Sequence, residues 1–75
     1  MQLAKVTGVA ELRAQAPFLE GQRVITVEAE GQTLAAVDMV GARAGDRVLL
    51  LTGASAGRCY MASPADAVAV AVLKA

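Results

Sequence analysis

At 75 residues the chain has room for one small domain and no second. Seven Lys and Arg balance seven Asp and Glu with no block of like sign, which argues against a nucleic-acid binder driven by counterion release and against a polybasic membrane-surface protein. Apolar residues make up 56%, much of it alanine, with one Phe, one Tyr and no Trp, so a lone core would be thin and apolar surface would be left over. Surplus of that kind on a small chain marks contact with another protein, and oligomerisation is the first expectation.

Glycine and proline punctuate the chain regularly, at Pro17, Gly21, Gly31, Gly41, Gly45, Gly53, Gly57 and Pro64, and strand-like runs lie between them. Residues 3–12 alternate, with Ala4, Val6, Ala10 and Leu12 on one side and Lys5, Thr7 and Glu11 on the other. Gly8 falls in the middle of this first strand, where a sheet coiling into a barrel would bend. Residues 23–29 put Ile25, Val27 and Ala29 on one face of a second strand. A tight turn at Glu30-Gly31-Gln32 leads into a third strand over 33–40, completing a hairpin. Gly41-Ala42-Arg43-Ala44-Gly45-Asp46 is a connector. Residues 47–52 are apolar on both faces, which predicts a central strand covered on both sides.

The last segment carries two signals. Ser63-Pro64-Ala65-Asp66 is a helix start, with a capping serine, proline in the first helical position and an acid three residues after the cap. Ala67 to Val72 then alternates strictly, and valine's branched side chain suits a strand, whereas a helix would scatter Val68, Val70 and Val72 around its circumference. The reading is one short helical turn over 64–66 and a strand over 67–73. Five strands with the first one bent predict an all-β fold, a small closed barrel.

The stretch LLLTGASAGRC, residues 49–59, resembles a phosphate cradle at first sight. A P-loop needs G-x-x-x-x-G-K-[ST], but here Gly57 is followed by Arg58 and Cys59 and the glycines are too close together. The dinucleotide pattern G-x-G-x-x-G is absent, and no long helix follows to present its N-terminus to an anion. A tight turn of small residues accounts for the stretch. Cys59 has Arg58 beside it, but the chain holds no histidine to act as its base, and a single cysteine excludes an internal disulfide. Asp38, Asp46 and Asp66 flank turns, where capping explains them without chemistry. No catalytic residue, cofactor or metal site emerges. The opening MQLAKVTGVAELR lacks a signal-peptide pattern, and the longest strongly apolar run, 48–51, is too short to span a bilayer, so a cytoplasmic protein is expected. A solitary OB-like module for nucleic acid or peptide is the alternative, though single-strand binders of that type use aromatic platforms and a basic groove, and Phe18 and Tyr60 are the only aromatics.

Taken together, the motifs resemble the EutN/CcmL family, the pentameric vertex proteins of bacterial microcompartment shells. Met1-Gln2-Leu3-Ala4-Lys5-Val6-x-Gly8 is similar to the family's opening, and Leu19-Glu20-Gly21-x-Arg23 to its L-x-G-x-K/R before the second strand. Val37-Asp38-x-Val40-Gly41-Ala42-x-x-Gly45-Asp46-x-Val48-Leu49 resembles its most recognisable stretch, and Pro64-x-Asp66-Ala67-Val68 its P-x-D-A-A-V tail. The four matches occur in family order and cover nearly the whole chain. Where members read G-S-[SA]-A-R, this chain places its arginine one position later, at Arg58, so no role is carried to that residue. Arg43 stands where a glycine is frequent, the hairpin turn is shorter than in many members, and the tail ends Leu73-Lys74-Ala75.

The resemblance implies a five-stranded OB-like barrel that forms a cyclic homopentamer and caps the corners of a shell built mainly of hexameric and pseudohexameric proteins. It implies no enzyme activity, cofactor, nucleic acid or membrane. The density of small residues places subunit or shell contacts, as an expectation, at Gly41, Ala42, Gly45 and Asp46 of the connector and at Gly53, Ala54, Ser55, Ala56, Gly57 and Arg58.

Overall fold

A computed structural model describes residues 1–53 and 67–74, and of Phe18 the backbone alone. Five strands follow in chain order: β1 Gln2–Val9, β2 Val24–Ala29, β3 Gln32–Asp38, β4 Arg47–Thr52 and β5 Ala67–Val72. They close into a barrel in the order β1-β2-β3-β5-β4, with β4 pairing back onto β1. Every pairing is antiparallel except β3 with β5, which run parallel through Val37–Val68 and Asp38–Ala69. This is the five-stranded arrangement of the OB-fold. A 3-10 turn at Pro17–Leu19 lies where the sequence offered only punctuation. The helical turn expected over 64–66 lies outside the described residues.

β1 ends at Val9, three residues short of the expected strand. The cause is a bulge: Val6 pairs with Val27 and Gly8 with Thr26, leaving Thr7 without an opposite residue. The Thr7 hydroxyl bonds the Thr26 carbonyl at 3.1 Å and lies 2.8 Å from the Thr26 hydroxyl. An extra residue bends the strand and raises its twist, so the simple alternation that grouped Ala10 and Leu12 with Ala4 and Val6 does not continue. Leu12 is exposed. The bend falls at Gly8, yet a Cβ there would meet only Thr26 Oγ1, at 3.7 Å, so the bulge and not a lack of space makes it.

β2 and β3 form a hairpin in which Ala29 pairs with Gln32, leaving Glu30 and Gly31 as a two-residue turn. Their φ angles are 51° and 77°, both left-handed, the combination of a type I′ turn whose twist matches the strands. Gly31 adopts this conformation without strain, whereas Glu30 has a Cβ to accommodate. Glu30→Asn is therefore expected to stabilise the protein by about 0.5–1 kcal/mol and raise its thermal midpoint by a few degrees, read by circular dichroism. An unchanged or lower midpoint would contradict the assigned turn.

The barrel interior holds Ala4, Val6, Ile25, Val27, Ala29, Ala36, Ala42, Val48, Leu50, Ala67 and Ala69, with Leu34 packed against them. More than half of these buried residues are alanine. Barrel diameter grows with strand number, so only five strands enclose a narrow bore in which a few large side chains, chiefly Ile25 and Leu50, need alanines beside them. The alanine-rich composition is thus partly a demand of the fold. A second cluster lies on the outer face, where Val37 and Val68 are covered by Leu19, Leu51 and Val70. β4 accordingly buries Val48 and Leu50 inside and sets Leu51 under the outer cluster, while Leu49 is half-buried. The β5 alternation is broken once, because Leu50 pairs with Ala69 and Leu49 with Ala71, leaving Val70 as the extra residue.

Candidate assembly surface

The hairpin register brings two charged residues face to face. Val24 pairs with Val37, and the next positions outward are Arg23 and Asp38, joined by a bond from the Asp38 amide to the Arg23 carbonyl at 2.8 Å. They continue the inward-facing rows of Ile25, Val27 and Ala36, and so sit at one end of the barrel. Arg23 Nε lies 2.9 Å from Asp38 Oδ2; the Asp38 side chain is fully buried while that of Arg23 is 42% exposed.

The Asp38 carboxylate also accepts the backbone N–H of Val40 at 3.0 Å, through Oδ1, and that of Ala42 at 2.8 Å, through Oδ2. Arg23 Nη2 donates to the Ala42 carbonyl at 2.6 Å. This arrangement stops β3 at Asp38, two residues before the expected end: a carboxylate bonding the amide two residues on turns the chain. Among the described residues no buried side-chain nitrogen or oxygen lacks a hydrogen-bond partner.

The rest of the connector is tied down as well. Asp46 Oδ2 accepts the Arg43 N–H at 2.8 Å, and the Asp46 amide donates to the Arg43 carbonyl at 3.0 Å. Gly45 has φ +92°, a left-handed backbone that a side chain would strain. Gly45 and Asp46 exchange bonds with Val6, each at 2.8 Å, extending the β1–β4 ladder.

The residues singled out from the sequence fall in different settings. Gly41 and Gly45 are exposed and Asp46 is half-buried. Ala42 is fully buried in the barrel core, so its side chain serves the chain's own packing, and outward contact from the connector falls to its neighbours. Gly53 is exposed just past β4, while Ala54, Ser55, Ala56, Gly57 and Arg58 lie outside the described residues. The connector and Gly53 stand at opposite ends of β4. At 3.2–3.4 Å per residue they are about 20 Å apart and do not form one patch.

Arg23 enters the sequence reading only as part of a family motif, without a role, and the expected surplus of apolar surface is not assigned there to particular side chains. Leu3 is 52% exposed on the outside of β1 and pairs with Leu49, which in turn pairs with Ala71. Met39 and Val40, just past the buried Asp38, are 52% and 39% exposed. On so small a domain these are substantial apolar surfaces open to a partner.

Comparison with known proteins gives these surfaces a context. The profile of the family described as "Ethanolamine utilisation protein EutN/carboxysome" matches residues 1–73. The chain superposes on EutN from Escherichia coli with a TM-score of 0.80 at 31% identity, covering 97% of this chain and 84% of that one. For CcmL from a Nostoc species the values are 0.86, 28%, 97% and 88%. For GrpN from Rhodospirillum rubrum, a pentameric microcompartment shell protein, they are 0.84, 29%, 100% and 96%. No curated protein matches. A family profile spanning nearly all of the sequence, with the same barrel in its solved members, shows that the chain belongs to the EutN/CcmL family.

Proposed function

We propose that the chain assembles as a cyclic homopentamer and caps the vertices of a bacterial microcompartment shell as a structural protein, without catalysis. The observation that carries this reading is the family match over residues 1–73, joined by full-length similarity to the pentameric shell protein GrpN. The geometry of closed shells supplies the reason for such a protein: a flat hexagonal sheet cannot close without fivefold defects. Hexameric and pseudohexameric shell proteins are the corresponding partners, and the shell within the cytoplasm is the corresponding location.

The physical features support a ring. A cyclic ring uses heterologous contacts, in which one patch meets a different patch on the neighbour. The chain offers separated candidates in the outer face around Leu3 and Leu49, the connector with Met39, Val40, Gly41 and Gly45, and Gly53 beyond β4. The connector and residues 53–58 are proposed as subunit or shell contacts, with Ala42 and Asp46 acting from within the connector to hold its shape. The face of β2 and β3 that OB-folds turn to oligonucleotides carries Thr26, Glu28, Thr33 and Ala35 on its outward positions, an acid and no base. Measuring the mass of the assembled protein in solution tests the reading.

A further inference from the structure

The connection from β1 to β2, residues 10–23, is held near both ends. The Ala10 N–H donates to the Val24 carbonyl at 2.9 Å, and the N–H groups of Leu19, Glu20 and Gln22 donate to the carbonyls of Ala16, Pro17 and Leu19 at 3.0, 3.1 and 2.9 Å. Between these anchors Glu11, Leu12, Arg13, Ala14 and Gln15 are all exposed and make no hydrogen bond or ion pair among the described residues. The stretch also lacks Gly, Pro, Asn, Asp and Ser, the residues that set a turn by their own conformation or side-chain bonds. A backbone with neither a ladder nor a turn-setting side chain opens locally at almost no cost in free energy. Of Lys5, Arg13, Arg23, Arg43 and Arg47, all exposed, only Arg13 has such a backbone. Lys5 and Arg47 pair across the β1–β4 ladder, and the Arg23 carbonyl accepts the Asp38 N–H. Arg43 also lies in a loop, but its N–H donates to the Asp46 carboxylate at 2.8 Å and its carbonyl accepts the Asp46 N–H at 3.0 Å.

We propose that the Arg13–Ala14 peptide bond is an endoproteolytic site of the folded chain, open to proteases that cut after a basic residue. A protease draws several residues on each side of the bond into its cleft, and cleavage of a native protein follows the population of the opened segment. The cut is a hydrolysis. The C–N bond between Arg13 and Ala14 breaks, water supplies the hydroxyl that completes the Arg13 carboxyl and the hydrogen that completes the Ala14 amine, and nothing is oxidised or reduced. The bond lies outside both ladders that hold β1, to β2 through Lys5–Val9 and to β4 through Gln2–Lys5, so the barrel need not open for it to be reached.

The test is limited digestion of the native wild-type protein with trypsin, in the state of assembly it adopts in solution. Far-ultraviolet circular dichroism confirms the strand signal at the start, and timed samples stopped with acid are read by mass spectrometry. The initial rate of cleavage after Arg13 is expected to exceed that after Lys5, Arg23, Arg43 or Arg47 at least tenfold. Cleavage after Arg43 at a rate similar to that after Arg13 would overturn the assignment, because exposure in a loop, and not the untied backbone, would then decide the site. An Arg13–Ala14 bond that survives the digestion overturns it equally, since the segment would then be held or covered in the protein as it exists.

Discussion

Leu50→Ala is expected to cost about 2–5 kcal/mol and to lower the thermal midpoint by at least about 8 °C. Leu50 is fully buried, and it is the longest of the side chains filling the bore together with Ile25. Its β5 neighbour in the ladder is Ala69 and more than half of the core cluster is alanine, which leaves little side-chain volume to fill the space. A domain of this size has only roughly 4–11 kcal/mol of stability at about 0.05–0.15 kcal/mol per residue, so the loss is a large fraction of the whole. Because assembly adds apparent stability by mass action, variant and wild type are to be compared at one protomer concentration. A midpoint within a degree of wild type would mean that the bore is not packed as described.

The second large effect is expected at Asp38. Asp38→Ala leaves the Arg23 guanidinium without its carboxylate and the N–H groups of Val40 and Ala42 without an acceptor. Removing one member of a buried pair costs about 3–5 kcal/mol, and the half-exposed Arg23 places this case near the lower end. The order of effects is the sharper prediction: Asp38→Ala should destabilise more than Arg23→Met, because it removes the acceptor of two backbone N–H groups, one of them the buried Ala42 amide, as well as the partner of the guanidinium. Urea unfolding of the two variants reads this directly. The reverse order would contradict the assignment of Asp38 as the hub.

Much of this architecture was legible in the amino-acid pattern, and the places where it was not have physical causes. β4 matched its expected limits because Gly45-Asp46 and Gly53 bracket an unbroken apolar run. β5 differed by one residue, since strict alternation of alanine and valine leaves little room for a helix. β1 was overextended because a bulge changes which side chains share a face without altering the composition. β3 was overextended because its end is set by a side chain, Asp38, whose carboxylate captures the backbone beyond it. The Arg23–Asp38 pair was within reach: a two-residue turn at Glu30-Gly31 fixes a register in which 29 faces 32, 24 faces 37 and 23 faces 38. Reading the turn as three residues hid it. Ala42 shows the converse difficulty, since a small residue in a loop between glycines looks like a contact residue and is a core residue instead.

These elements serve one purpose in the present account. The barrel is small and narrow, and its outer apolar side chains, Leu3 on β1 and Met39 and Val40 beyond β3, lie on a strand and on a segment held by hydrogen bonds. Separated apolar patches are what the heterologous contacts of a closed ring require.

The most direct test is the mass of the wild-type protein in solution at micromolar protomer concentration, by native mass spectrometry or sedimentation. The account predicts one dominant species of about 38 kDa, five copies of a 7.6 kDa chain. A persistent 7.6 kDa monomer, or a dominant species with any other number of chains, would contradict it.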